Sequence, residues 1–298
     1  MSYQVMARTF VKKFFNRVET THHFQNIIKE KEGAIPIKEI VLFLLRNVSY
    51  TLKYARRNGF IISFNDPIEV MQTGDEIFKH EIYKLYFPKQ NPTILDIGAN
   101  IGLATLYFKK TFPRSAIYAY EPHPLAFKCL KANAKMNEIA NVHCLRKAVV
   151  AKKPSHKMQL YYSDLTSVVS SRYKENVARF ASGKIKRMSV DCISLQEILK
   201  NLKSIDILKI DTEGGEFELI PEIAKYSKII HACIIEVHHL KNKNIFLLLN
   251  RLSRFYTIAI DALPSNTVNE FIFSPEKSHN NFLIYAVSKI FANQPLTI

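Results

Sequence analysis

Two periods of apolar residues alternate along this chain. Short β-branched runs occupy 93–97, 116–120, 142–150, 205–210, 229–237, 255–260 and 282–287. Between them, apolar residues return every three or four positions, as in 103–110, 123–138, 195–202, the segment ending at Tyr226, and 244–254. A continuous apolar run suits a strand buried on both faces, and a stripe at period 3.6 suits a helix lying over it. The alternation predicts an α/β class: a doubly wound, mainly parallel seven-stranded sheet. A helix is predicted over 75–87 and a strand or hairpin over 59–64.

Two stretches depart from this rhythm. Residues 1–60 interleave Arg8, Lys12, Lys13 and Arg17 with Phe10, Phe14 and Phe15, in helical pieces over 3–30 and 36–57 broken at Gly33 and Pro36. They predict a basic helical N-terminal extension (1–65) ahead of one domain (66–298), either packed on it as a cap or touching a membrane surface. Residues 151–190 interrupt the strand–helix alternation: strand-like at 158–162, rich in Ser and Thr over 163–171, basic over 172–187, with a short strand at 188–193. An insertion of that length is expected to overhang the ligand edge of the sheet as a substrate lid.

Charge changes the picture more than composition does. The 298 residues carry a formal net charge of +16, which favours anionic partners. No arginine-rich tract or nucleic-acid motif accompanies it, which disfavours nucleic acid as the partner. The cysteines, Cys129, Cys144, Cys192 and Cys233, form no C-x-x-C pair or zinc spacing and read as reduced thiols. The most apolar early run, 40–45, is far short of the ~20 residues that span a bilayer. The expectation is a cytoplasmic protein, with peripheral membrane contact open to the basic N-terminal region.

The densest chemistry lies in 91–122. The strand at 93–97 leads into Asp96, Gly98, Asn100 and Gly102, spaced D-x-G-x-N-x-G, and a helix follows. Glycine at such a turn lets backbone approach a ligand, and the helix start offers free N–H groups. The second strand ends on Glu121, placed to take both hydroxyls of a ribose. A dinucleotide site would show G-x-G-x-x-G. An acid before the first glycine instead suits a ligand with a cationic amino-acid end, and points to S-adenosylmethionine.

Further carboxylates fall at other strand ends: Asp211, Glu213 and Glu216 after 205–210, and Glu236 with His238 at the end of 229–237. Methyl transfer to oxygen needs in-line placement and removal of one proton. Asp211, Glu213 or His238 are the candidate bases, with histidine the default from its ordinary pKa. A divalent metal on Asp211 with Glu213 or Glu236 is the other route. The plainer reading is that Asp211 and Glu213 cap the following helix. An N/D-P-P-Y/F-type loop for base amines is absent, and Cys233 lies inside an apolar strand, so oxygen fits best as acceptor.

Three segments, ILDIGANIGLATLYF (94–108), YAYEPHPLAFKCLKANAKMN (118–137) and IDILKIDTEGGEFELI (205–220), resemble the FkbM family of S-adenosylmethionine-dependent methyltransferases. The resemblance covers about 70–290. It implies the Rossmann-like (class I) methyltransferase fold and O-methylation of sugars or polyketide-type molecules. By it, Asp96, Gly98, Asn100 and Gly102 would line the methionine end, Glu121 would hold the ribose, and Asp211, Glu213 and His238 would face the acceptor. Many relatives carry Ala at the position of Gly215. The acceptor expected is a small molecule or glycan, anionic or lipid-linked. The rivals are an RNA 2′-O-ribose methyltransferase, which lacks its K-D-K-E set here, and a non-catalytic cofactor-binding relative.

Overall fold

The computed structural model describes residues 54–64, 67–152, 157–163, 170–180, 184–238, 244–262 and 282–290. The chain divides into two compact units, Met1–Lys53 and Tyr54–Ile298. The first unit lies outside the described residues, and with it the helices expected over 3–30 and most of 36–57.

In chain order the second unit runs β1 (Tyr54–Arg57), β2 (Phe60–Ser63), α1 (Pro67–Phe78), β3 (Thr93–Ile97), α2 (Leu103–Thr111), β4 (Ala116–Tyr120), α3 (Pro124–Met136), β5 (Val142–Leu145), β6 (Ala148–Val150), β7 (Met158–Ser163) and β8 (Ser170–Ser171). It continues through α4 (Lys174–Phe180), β9 (Ile185–Val190), β10 (Cys192–Ser194), α5 (Leu195–Asn201), β11 (Ile205–Ile210), α6 (Glu216–Lys225), β12 (Ile230–Val237), α7 (Ile245–Ser253), β13 (Tyr256–Ala262) and β14 (Phe282–Ser288). The seven-stranded sheet has the order β13-β14-β12-β11-β3-β4-β5, parallel except for β14, which is antiparallel to both neighbours. Successive side chains point to opposite faces. Ile94, Ile117, Ile207 and Ile234 therefore pack with residues of α1, α2 and α3, while Leu95, Leu208, Ile210 and Ile235 pack with α5, α6 and α7. All six positions of β11 are buried, as its near-continuous apolar sequence requires.

Three expectations about local structure are corrected. Residues 54–57 form a strand, paired to β2 across Asn58 (φ 51°) and Gly59 (φ 89°), the left-handed pair a tight hairpin needs. The helix read at 75–87 is α1, which begins at Pro67 and ends at Phe78; Glu81 then takes a φ of 52°, incompatible with helix. The strand read over 142–150 breaks at Arg146-Lys147, and β6 leaves the main sheet to pair in parallel with β10. The 151–190 insertion contributes a three-stranded antiparallel sheet, β8-β7-β9, together with α4.

Candidate active site

Strands β3, β4, β11 and β12 are parallel and end on one edge, where ligands of such sheets collect. Gly98 follows β3 with φ 78°, and its N–H donates to the Tyr120 carbonyl at 2.9 Å. The Asp211 carbonyl oxygen sits 1.7 Å from where a Cβ on Gly98 would be, so the two loops are in backbone contact. Asn100 (φ 50°) donates its N–H to Glu121 Oε2 at 2.8 Å, and the His123 N–H reaches Glu121 Oε1 at 2.7 Å. Each carboxylate oxygen is thus oriented by one backbone donor and keeps a second lone pair. An open cleft of about 770 Å³ is lined by Gly98, Asn100, Tyr120 and Glu121, by Asp211 and Glu213, and by Val149, Met158, Leu160 and Arg172. The inserted strand β7 therefore forms one wall of this cleft.

Burial pushes the Glu121 carboxyl up to about 7, against the two backbone N–H bonds that favour its charge. An acid whose folded pKa is raised binds more protons folded than unfolded between about 4.5 and 7, so this group makes stability fall as pH rises through that window. Glu121→Gln is expected to lose that part of the slope, a difference of about 3 kcal/mol between the ends of the window. Urea unfolding of both proteins at pH 5 and pH 8 measures it, and parallel slopes would refute it.

Two of the expected cofactor residues sit elsewhere. Asp96 is fully buried: its Oδ2 accepts from Thr105 Oγ1 at 2.7 Å, and its Oδ1 lies 3.3 Å from Lys209 Nζ. Gly102 caps α2 with φ 93° and packs against Leu130 of α3. Both support the turn from behind, and neither lines the cleft.

Asp211, Glu213 and His238 come together, with one ligating atom of each within 4.8 Å of the others. His238 is 1% exposed; its Nε2 lies 3.3 Å from Glu213, 3.6 Å from Glu236 and 3.8 Å from Asp211, and its Nδ1 lies 3.5 Å from Glu216. Burial alone would lower the His238 pKa, but Glu213 and Glu216, followed by Glu236, hold it well above the ordinary value. Burial pushes Glu213 up to about 7 and Glu236 up to about 8, with Asp211 repelling both. Glu216 is held by the N–H groups of Thr212 and Gly214 and by Thr212 Oγ1, which closes the turn into α6.

Several contributors had no signal in the residue pattern. Asn176 of α4 donates to Glu213 Oε2 at 2.9 Å, and Ser171 Oγ donates to the Glu213 carbonyl. The insertion thereby holds Glu213, itself at φ 54°, from above. Arg172 pairs with Glu218 of α6 at the cleft wall. Lys209, a charge inside an apolar strand, was the one legible clue: its Nζ donates to the Gly98 carbonyl at 2.7 Å and lies 3.4 Å from Asp211.

A Rossmann-like sheet with one reversed strand, carrying a glycine turn and a strand-end acid on its ligand edge, is the class I methyltransferase architecture. The chain is a methyltransferase, and it belongs to the FkbM family: the model described as the methyltransferase FkbM domain matches residues 96–262, more than half of it. It is 27% identical over 199 residues to the methyltransferase sdnD of Sordaria araneosa, covering 57% of this chain and 75% of that protein. It is also 27% identical over 210 residues to the 31-O-demethyl-FK506 methyltransferase FkbM of Streptomyces tacrolimicus, covering 61% of this chain and 79% of the relative. Among solved structures it is similar to a precorrin-6y C5,15-methyltransferase from Geobacter metallireducens, at 14% identity and a TM-score of 0.39, over 67% of this chain and 80% of that one.

Proposed function

We propose that this methyltransferase uses S-adenosylmethionine and methylates a hydroxyl oxygen of a sugar, glycan or related small molecule. The observation that carries the reading is one cleft shared by two sets of groups: the Gly98–Asn100–Glu121 cradle and the Asp211–Glu213 carboxylates. The cradle suits the cofactor by the chemistry of its donors. The backbone at Gly98 is open to close approach, Glu121 presents two acceptor oxygens for a ribose diol, and Tyr120, Pro122 and Val149 give an apolar wall for a flat base. When bound, the cofactor supplies an electrophilic methyl group on a sulfonium. The chain's own task is to place the acceptor oxygen in line and relieve it of a proton. Asp211 and Glu213 face the cleft and are the residues that serve that task, directly or through a bound cation, and His238 lies behind them against Glu213. The name of the Streptomyces relative, an O-demethyl substrate's methyltransferase, supports oxygen as acceptor.

The exposed Lys147 lines the cleft and the exposed Lys152 lines an adjoining hollow against β7, which favours an anionic or lipid-linked acceptor. No described helix is long and apolar enough to cross a membrane. Titration calorimetry tests the cofactor reading: the wild-type chain should bind S-adenosylmethionine, and Glu121→Ala should weaken binding by about tenfold or more, the cost of losing charged hydrogen bonds. A wild-type protein that takes up no cofactor would end the proposal.

A further inference from the structure

The fold leaves a cage at the floor of the cleft whose dimensions are those of a coordination sphere. His238 Nε2 faces oxygens of Glu213, Glu236 and Asp211 at 3.3, 3.6 and 3.8 Å. These separations exceed the roughly 2.7–2.9 Å of a charge-assisted N–H···O bond. The two glutamate separations match the edges of a polyhedron around a cation whose ligand bonds are about 2.0–2.2 Å, since tetrahedral and octahedral edges at that radius run from roughly 2.9 to 3.6 Å, and the 3.8 Å to Asp211 is slightly longer. His238 supplies a second observation. It is 1% exposed and aimed into the cage through Nε2, and neither of its nitrogens reaches a partner at charge-assisted hydrogen-bond distance, the shortest contacts being 3.3 Å at Nε2 and 3.5 Å at Nδ1.

The outer arrangement is also that of a ligating histidine. Nδ1 is turned toward the buried carboxylate of Glu216, 3.5 Å away. A histidine that ligates through one nitrogen usually presents the other to a carboxylate, which fixes its tautomer and orientation. The candidate ligands come from two strand ends, Asp211 and Glu213 after β11 and His238 after β12, and the insertion holds Glu213 through Asn176. Asp211 and Glu213 also line the cleft, so a cation here would have open positions toward the acceptor.

We propose that Asp211, Glu213 and His238 bind one divalent cation of the magnesium–manganese class, with Glu236 within reach as a fourth ligand, and that this cation holds the acceptor hydroxyl. Two carboxylates and one imidazole suit hard to borderline divalent ions. The inference rests on the proposed hydroxyl acceptor and gives Asp211 and Glu213 their part in the reaction. Through the cation they orient the hydroxyl oxygen and lower its pKa, and its proton passes to water. His238 would ligate through Nε2 as a neutral imidazole.

Manganese(II) is the probe. The full chain, freed of metal by a chelator and dialysed, is titrated with Mn2+ by electron paramagnetic resonance and calorimetry, with S-adenosylmethionine binding measured on the same samples. The expected result is one Mn2+ per chain, a 14N coupling from one imidazole in pulsed spectra, and at least a tenfold loss of Mn2+ affinity in Asp211→Asn and in His238→Gln. Asp211, a quarter exposed, is the variant that spares the fold, and circular dichroism checks both. Wild-type protein that binds S-adenosylmethionine but no Mn2+, or binds Mn2+ without nitrogen coupling, overturns the cation site and leaves the methyltransferase reading intact. Failure to bind S-adenosylmethionine overturns the cofactor reading instead, whatever the metal does.

Discussion

Lys209→Met is expected to lower the unfolding free energy by about 3–5 kcal/mol, the range for removing one partner of a buried ion pair. The ammonium of Lys209 sits 2% exposed on the most enclosed strand of the sheet. Register places it directly beside Asp96 on β3, on the same face, where Nζ lies 3.3 Å from Oδ1. That oxygen has no hydrogen-bond partner of its own, and Asp96 is fully buried, so the lysine supplies its only charge compensation among the described residues. Nζ also donates to the Gly98 carbonyl at 2.7 Å, lies 3.4 Å from Asp211 and rests 5.5 Å from the centre of the Tyr83 ring. Methionine of similar length would fill the space and leave all of these unanswered. Urea unfolding measures the loss. The double variant Lys209→Met with Asp96→Asn should recover much of it, because the stranded charge is gone; strictly additive losses would show that the pair is not the cause.

This pair explains where the residue pattern was informative and where it was not. Parallel strands buried on both faces are continuous apolar runs, so β3, β4, β11 and β12 stood out, and Asp96, Glu121, Asp211 and Glu236 could be placed at their ends. The direction in which a strand-end acid points is another matter. Asp96 was expected to meet the ligand, yet Thr105 and Lys209 draw it inward, and those partners lie 9 residues along the chain and across a strand pairing. The helix read over 75–87 failed for a related reason. The period was read from Ile77, Ile82, Leu85 and Tyr86; Ile77 belongs to α1, Ile82 and Leu85 are buried in an irregular segment packed on the core, and Tyr86 is exposed. The break in 142–150 was marked by Arg146-Lys147, two charges that a continuous buried strand would not hold.

The insertion was legible as an interruption and as something placed over the ligand edge, and its strand β7 does line the cleft. Its grip on the site was not legible. Asn176 and Ser171 hold Glu213 across 37 and 42 positions of sequence, and no local pattern encodes a contact of that range. His238 shows the opposite limit. Its ordinary pKa made it the default base, but four carboxylates converge on it in space, and no residue pattern encodes the field they set up.

Gly98→Ala should be the most damaging single-methyl addition in the ligand turn. The new Cβ would arrive 1.7 Å from the Asp211 carbonyl oxygen and 2.8 Å from its carbon, and both are backbone atoms. Neither can rotate away, because the Asp211 N–H is bonded to the Ile97 carbonyl at 3.0 Å and the Gly98 carbonyl is held by Lys209. A φ of 78° adds roughly 1–2 kcal/mol for any residue with a Cβ, and forced overpacking adds about 1–3 kcal/mol. The two loops must therefore part, moving Asn100 and Glu121 on one side from Asp211 and Glu213 on the other. Thermal unfolding should show the loss of stability, and calorimetry a fall in S-adenosylmethionine affinity of about a hundredfold, since both halves of the site are displaced. Gly215→Ala is the control. Gly215 has an ordinary φ of −71°, and its added methyl would meet only the Thr212 side chain, its Oγ1 at 2.7 Å and its Cβ at 3.3 Å. A hydroxyl can turn aside for about 1 kcal/mol or less, the worth of one hydrogen bond. Equal damage from the two alanines would mean that glycine content, and not the contact between the Gly98 and Asp211 loops, sets the geometry of the cleft.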